Sequence, residues 1–184
     1  HIVAPVTCTI RASQAGNSNF TAAPNFEQSF ALGTATLTVT ADNQSRDYGA
    51  PNPTFTATIT GFVNGQTLAT SGVTGTPSCS TTATVTSQAS PPTYPITCTA
   101  GTLISSNYTF AFVAGALTIN KASSTTTVTC PANVVYNGLA QTPCTVLVTG
   151  AGGLSLTPAV NYSNNINVGT ATASYTFAET ANYL

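Results

Sequence analysis

Charge is what this chain has least of. Only 4% of its 184 residues are charged: Arg11, Arg46, Lys121, Asp42, Asp47, Glu27 and Glu179. A typical soluble domain carries about 25%. The net charge of −1 provides no basic surface for nucleic acid or for an anionic membrane, and it opposes self-association weakly. There is one histidine, His1, so no base stands beside the many hydroxyls in the way nucleophilic catalysis needs. The carboxylates are too scattered for an acid–base pair. The expectation is a protein that is not an enzyme and holds no cofactor. Short CxxC spacings for zinc are absent. Asp42, Asn43 and Asp47 offer too few carboxylates for a tight calcium site and read as turn residues. No run of about 20 apolar residues marks a membrane span. The chain opens at His1 without a signal-peptide pattern, so any signal is expected to have been removed or to lie outside it.

What is abundant is threonine and serine, together about 29% of the chain, set in strict alternation with apolar residues. That alternation is the mark of half-buried strands. Strands are expected at 34–40 (Leu37 and Val39 inward), 54–60 (Phe55, Ala57, Ile59), 79–86 (Cys79, Ala83, Val85), 93–100 (Tyr94, Ile96, Cys98), 107–115 (Tyr108, Phe110, Phe112) and 116–120 (Leu117, Ile119). Residues 41–53 and the Ser87–Pro92 stretch read as turns, and Asn64-Gly65 as a tight turn. A second set follows the joint Lys121–Ser124: 125–130, 133–144 with an Asn137-Gly138 hairpin signal, 145–153, 154–163 and 171–177. About seven short strands in some 88 residues form the pattern of an immunoglobulin-like sandwich. No helical period appears. The fold expected is all-β, as tandem immunoglobulin-like antiparallel β-sandwiches.

The chain also repeats itself. With Cys8, Cys98 and Ala173 aligned, each is followed by an Asn-aromatic pair: Asn19-Phe20, Asn107-Tyr108 and Asn182-Tyr183. Internal repeats of this kind define the architecture. Residues 1–33 read as the C-terminal part of one module or as exchanged strands, 34–121 as a complete module, and 122–184 as a module lacking its last strand. A missing strand leaves an open edge, which the N-terminal segment of another copy can cover by strand addition. Four of the five cysteines fall in pairs within modules, Cys79 with Cys98 and Cys130 with Cys144, on strand faces read as inward. Disulfides there imply an oxidising compartment; buried free thiols are the alternative. Cys8 is left over, its partner in sequence beyond this chain or in another copy. Lys121, the one lysine, lies at the joint, away from the buried setting an isopeptide bond needs. The sequons at Asn19, Asn43, Asn107 and Asn161 are no more than chance supplies in a chain this rich in Asn, Ser and Thr. Alternating aromatics read as core; Tyr48 and Phe62, in turn-rich segments, are the exposed candidates for ligand contact.

Residues 36–122 contain LTVTADNQSRDYG, NPTFT, GFVNG, YPIT, SNYTF and GALTINKA. This segment resembles the MBG-type repeats of bacterial surface proteins. Residues 4–32 are similar to the end of another bacterial Ig-like repeat, and 125–184 resemble a third that normally continues into a closing strand. In the first of these a second cysteine usually stands upstream, which accounts for a lone Cys8. The resemblance implies a secreted structural module of a cell-surface fibre or adhesin stalk, self-associating or joined to neighbouring modules. An adhesin domain binding glycan or host protein is the alternative, and a viral fibre or decoration module a third. It supplies no catalytic residues.

Overall fold

Threonine's branched Cβ favours extended backbone while its hydroxyl tolerates water, so Thr alternating with Val, Leu or Ile yields strands with one wet face. The computed structural model describes residues 7–91 and 93–184; His1 and Pro92 lie outside it. Among the described residues the chain is all-β, with one short 3-10 turn at Ala151–Gly153. The strands are β1 (Thr7–Ala12), β2 (Phe26–Ala31), β3 (Ala35–Ala41), β4 (Gln44–Asp47), β5 (Ala57–Thr60), β6 (Ser78–Thr81) and β7 (Thr93–Thr99). They continue with β8 (Tyr108–Val113), β9 (Gly115–Asn120), β10 (Ser124–Thr129), β11 (Thr145–Gly150), β12 (Leu154–Leu156), β13 (Asn161–Ser163) and β14 (Thr172–Ser174). The sheets run β1-β2, β5-β3-β8, β4-β9-β7-β6, β10-β11-β12 and β13-β14.

Three of the sheets are antiparallel as expected, and two, β5-β3-β8 and β4-β9-β7-β6, are mixed. β3 runs parallel to β8, with Leu37 beside Phe110 and Val39 beside Phe112; β4 runs parallel to β9, from Gln44–Leu117 to Asp47–Asn120. Parallel neighbours need a long crossover, and the chain between β4 and β8 supplies it.

The chain divides into two compact units that interleave along the sequence. Among the described residues, one comprises 7–42, Thr56–Ser80 and Thr97–Gly115; the other comprises Asn43–Phe55, Thr81–Ile96 and Ala116–Leu184. The core of the first unit is Leu37, Val39, Val73, Leu103 and Tyr108, with Ala35, Ala57, Ile59, Phe62 and Phe110 packed against it. In the second, Ile96, Leu117, Ile119, Val146 and Val148 are buried.

Three stretches differ from expectation. β4 lies inside the 41–53 segment expected to be turn, where Gln44, Ser45, Arg46 and Asp47 show no apolar alternation to mark a strand. Its inward residue is Arg46, 7% exposed. Its Nε donates to the Asn52 side-chain oxygen (2.7 Å), and its terminal nitrogens donate to the carbonyls of Asp47 (3.1 Å) and Thr84 (2.5 Å). A buried cation is thereby satisfied by neutral oxygens alone. The strand expected at 79–86 ends at Thr81. Beyond it a Thr84–Ser87 turn closes through the Ser87 hydroxyl, and Val85 points out, 47% exposed. Residues 133–144 form no strand: the Asn137 side chain accepts from the Leu139 amide at 2.9 Å, a local bond that replaces the ladder.

The end of β3 is clipped to β5 by Asp42. Its carboxylate accepts from the hydroxyls of Thr56 (2.6 Å) and Thr58 (2.8 Å), and these bonds, Thr56 first, hold it below the usual carboxylate range. A depressed folded pKa stabilises above the unfolded value, and that contribution is lost as pH falls through the folded one. The melting temperature is expected to fall on acidification below about pH 4. Asp42→Asn should flatten that fall, read by thermal melts between pH 2 and 6.

Candidate assembly site: an uncovered hairpin and an open strand edge

The β1–β2 pairing sets Cys8 against Phe30, Ile10 against Gln28 and Ala12 against Phe26. Period-two alternation puts these on one face. The other face carries Thr9–Ser29, joined hydroxyl to hydroxyl at 2.8 Å, and Arg11–Glu27 at 3.6 Å. The hairpin is thus two-faced, and its apolar side is open: Ile10 is 63%, Phe26 68% and Phe30 51% exposed. An isolated two-stranded hairpin is marginal in water, so this face is suited to a cover.

A turn motif relates it to the other copies. Asn17's side-chain oxygen accepts from the amides of Asn19 (2.9 Å) and Phe20 (3.0 Å). Ser105's hydroxyl accepts from those of Asn107 and Tyr108, both at 3.2 Å. Thr180's hydroxyl accepts from those of Asn182 (3.3 Å) and Tyr183 (3.1 Å). Each Asn-aromatic pair is therefore aimed by a polar residue two positions before the Asn, which the sequence reading missed. The signal was there, as Asn17, Ser105 and Thr180. The aimed ring is buried at Tyr108 (3%) and Tyr183 (8%) but 70% exposed at Phe20. In the middle copy the equivalents of β1 and β2, β7 and β9, are flanked by β6 and β4. Among the described residues the hairpin has neither flank. At the other end of the sequence β14 pairs with β13, and with no other strand among the described residues.

Cys79 and Cys98 are joined, as are Cys130 and Cys144, with Cα atoms 4.0 and 4.3 Å apart. The second pair is less inward than expected: Cys130 is exposed and Cys144 half-buried, because both lie just past the ends of β10 and β11 and close the exposed 131–143 loop. Cys8 is a free thiol, half-buried. The two residues expected to be exposed for ligand contact are both half-buried. Phe62 stands edge-on to Tyr108 at 5.9 Å, and Tyr48 edge-on to Tyr183 at 5.5 Å. The polar residues of 42–47 are spent on strand contacts: Asn43 accepts from the Ala116 amide (2.8 Å), and Asp47 from the Asn120 side chain (3.3 Å). No group of three or more His, Cys, Asp or Glu that could hold a metal arises among the described residues. The Tyr162 hydroxyl lies against Cys144, accepting from its amide at 2.7 Å. It floors a shallow groove with Val146, Pro158 and Val160.

These features define a class: an all-β, disulfide-bonded repeat module. Residues 37–118 match the family model of the MBG domain (YGX type). The match falls on the segment whose motifs resemble MBG-type repeats, residues 36–122. No curated protein and no solved structure matches the chain. The MBG domain and the two disulfides fit an extracellular surface protein, and no helix among the described residues is long and apolar enough to cross a membrane.

Two outcomes test this geometry. Ser105→Ala removes an acceptor from two amides and should cost about 1 kcal/mol in urea unfolding. Ser105→Asn should restore it, since Asn17 performs the same task. Replacing Cys79 and Cys98 together by Ser opens a crosslink with a sequence separation of 19, and calorimetry should show a loss of roughly 3 kcal/mol.

Proposed function

We propose that this chain is a structural module of an extracellular bacterial cell-surface fibre or adhesin stalk. It acts without catalysis, and copies join by strand complementation. The observation that carries the reading is the hairpin. Its apolar face is exposed, and so is Phe20 in the β1–β2 connection, held in the same kind of capped turn as the buried Tyr108. The occupant is a second copy, whose β14, paired only with β13 among the described residues, takes a further strand. The low charge opposes this packing little, and the disulfides limit how far a module extends under load. The exposed Phe20, Phe26 and Phe30 also favour, as a second reading, an adhesin surface for glycan or host protein.

Light scattering after size exclusion, at rising concentration, tests the first reading. The intact chain should form multimers. Ile10→Ser with Phe30→Ser should hold it monomeric without lowering its melting temperature. A monomer at every concentration overturns strand complementation. Binding of a glycan array by that monomer, lost in the same variant, supports the adhesin reading instead.

A further inference from the structure

The matched MBG segment contains one Tyr-Gly pair, Tyr48-Gly49, directly after β4. We propose that this pair is a docking element, and that its partner is the glycine-rich turn and terminal Asn-Tyr of the segment following the MBG domain. The two then behave as one cooperative block within the second compact unit.

The turn starts from a fixed point. Tyr48's amide donates to the Asn120 carbonyl (2.9 Å) at the end of the β4–β9 ladder, and Ala50's amide closes the turn on Asp47 (3.1 Å). Gly49 then takes φ +81°, the left-handed region that favours glycine. There is a second reason for glycine: a Cβ at Gly49 would lie 2.4 Å from the backbone nitrogen of Gly152. The fit is reciprocal. A Cβ at Gly152 would lie 2.6 Å from Cε1 of Tyr48, and one at Gly150 would lie 3.1 Å from Cε1 of Tyr183. The missing side chain at Gly152 thus makes the room that the Tyr48 ring fills, while Gly150 makes room for Tyr183 within the partner segment itself.

Tyr183 completes the contact. Its ring meets Tyr48 at 5.5 Å and Phe177 at 6.2 Å, both edge-on, the arrangement aromatic quadrupoles favour. Its hydroxyl donates to the Ala151 carbonyl at 2.5 Å, fixing the turn that holds Gly152. Burial, and then the neighbouring Tyr48, push its phenol above the ordinary range. Two further ties lie alongside. Asn182's side-chain oxygen accepts from the Ala89 amide (3.0 Å), and Lys121 pairs with Glu179 at 2.5 Å. The 182–184 backbone runs beside Ala122, with Ala122 donating to Asn182 (2.9 Å) and Leu184 to Ala122 (3.0 Å). The short joint after β9 is therefore held at Lys121 and Ala122 by the segment that carries Tyr183. The inference holds whether or not the chain polymerises.

Native-state hydrogen exchange on the whole chain tests it, read at the Ala122 and Leu184 amides against the Val39 amide in the other unit. Tyr48→Ala and Gly152→Ala should each lower protection at Ala122 and Leu184 by about tenfold while leaving Val39 unchanged. Tyr48→Phe should keep protection, since the ring makes the contact. The control is Gly153→Ala. Gly153 has φ +83° but nothing within 4 Å of an added Cβ, so this variant bears the backbone strain without the clash and should leave the joint protected. Unchanged protection in Tyr48→Ala and Gly152→Ala overturns the proposal. So does an equal loss in Gly153→Ala, which would make the effect one of turn strain. Should Tyr48→Ala fail to fold, the Gly152→Ala and Gly153→Ala pair decides alone.

Discussion

Two parallel pairings, β3 with β8 and β4 with β9, join residues far apart in sequence. Thr36 and Thr109, 73 positions apart, share a hydroxyl contact of 3.1 Å on the first of them. The core of the first unit depends on this alignment, because it sets Leu37 and Val39 in register with Phe110 and Phe112. The position of the Tyr48 turn depends on the second pairing, which ends at Asp47–Asn120. Long-range pairing of this kind closes large loops before any contact repays the entropy. The Cys79–Cys98 crosslink, joining β6 to β7 within that crossover, removes part of that entropy from the unfolded chain.

A chain with so few charges must satisfy its polar groups by means other than ion pairs. It does so with hydroxyls and amides. Asp42 is held by two threonines, Arg46 by one asparagine and two carbonyls, and each Asn-aromatic turn by a single side-chain oxygen. Such bonds are short-range and little screened by salt, unlike surface ion pairs, which contribute little. Arg11–Glu27, more than half exposed at both ends, belongs to the latter kind. The surface left over is neutral and rich in hydroxyls, which suits close packing of like modules.

The three copies of the capped turn show how one local device serves different ends. The same two amide bonds aim Tyr108 into a core and Tyr183 against Tyr48, but leave Phe20 in the open. What differs is the strands around the turn.

The alternation of threonine with apolar residues determined the all-β class, and the cores at Leu37, Val39, Leu117 and Ile119 were legible because a strand's side-chain period is local. The Asn-aromatic repeat and the MBG segment were legible for the same reason. The direction of pairing was not, since parallel and antiparallel ladders use identical strand patterns. β4 escaped because its inward residue is an arginine, whose burial only distant acceptors allow. Tyr48 was misplaced as exposed because the ring covering it, Tyr183, lies at the far end of the chain. The hairpin's sequence shows an apolar face, and only the tertiary structure shows that nothing in its described surroundings covers it. Local periodicity is written in neighbouring residues; burial and partnership are decided by what the rest of the chain brings alongside.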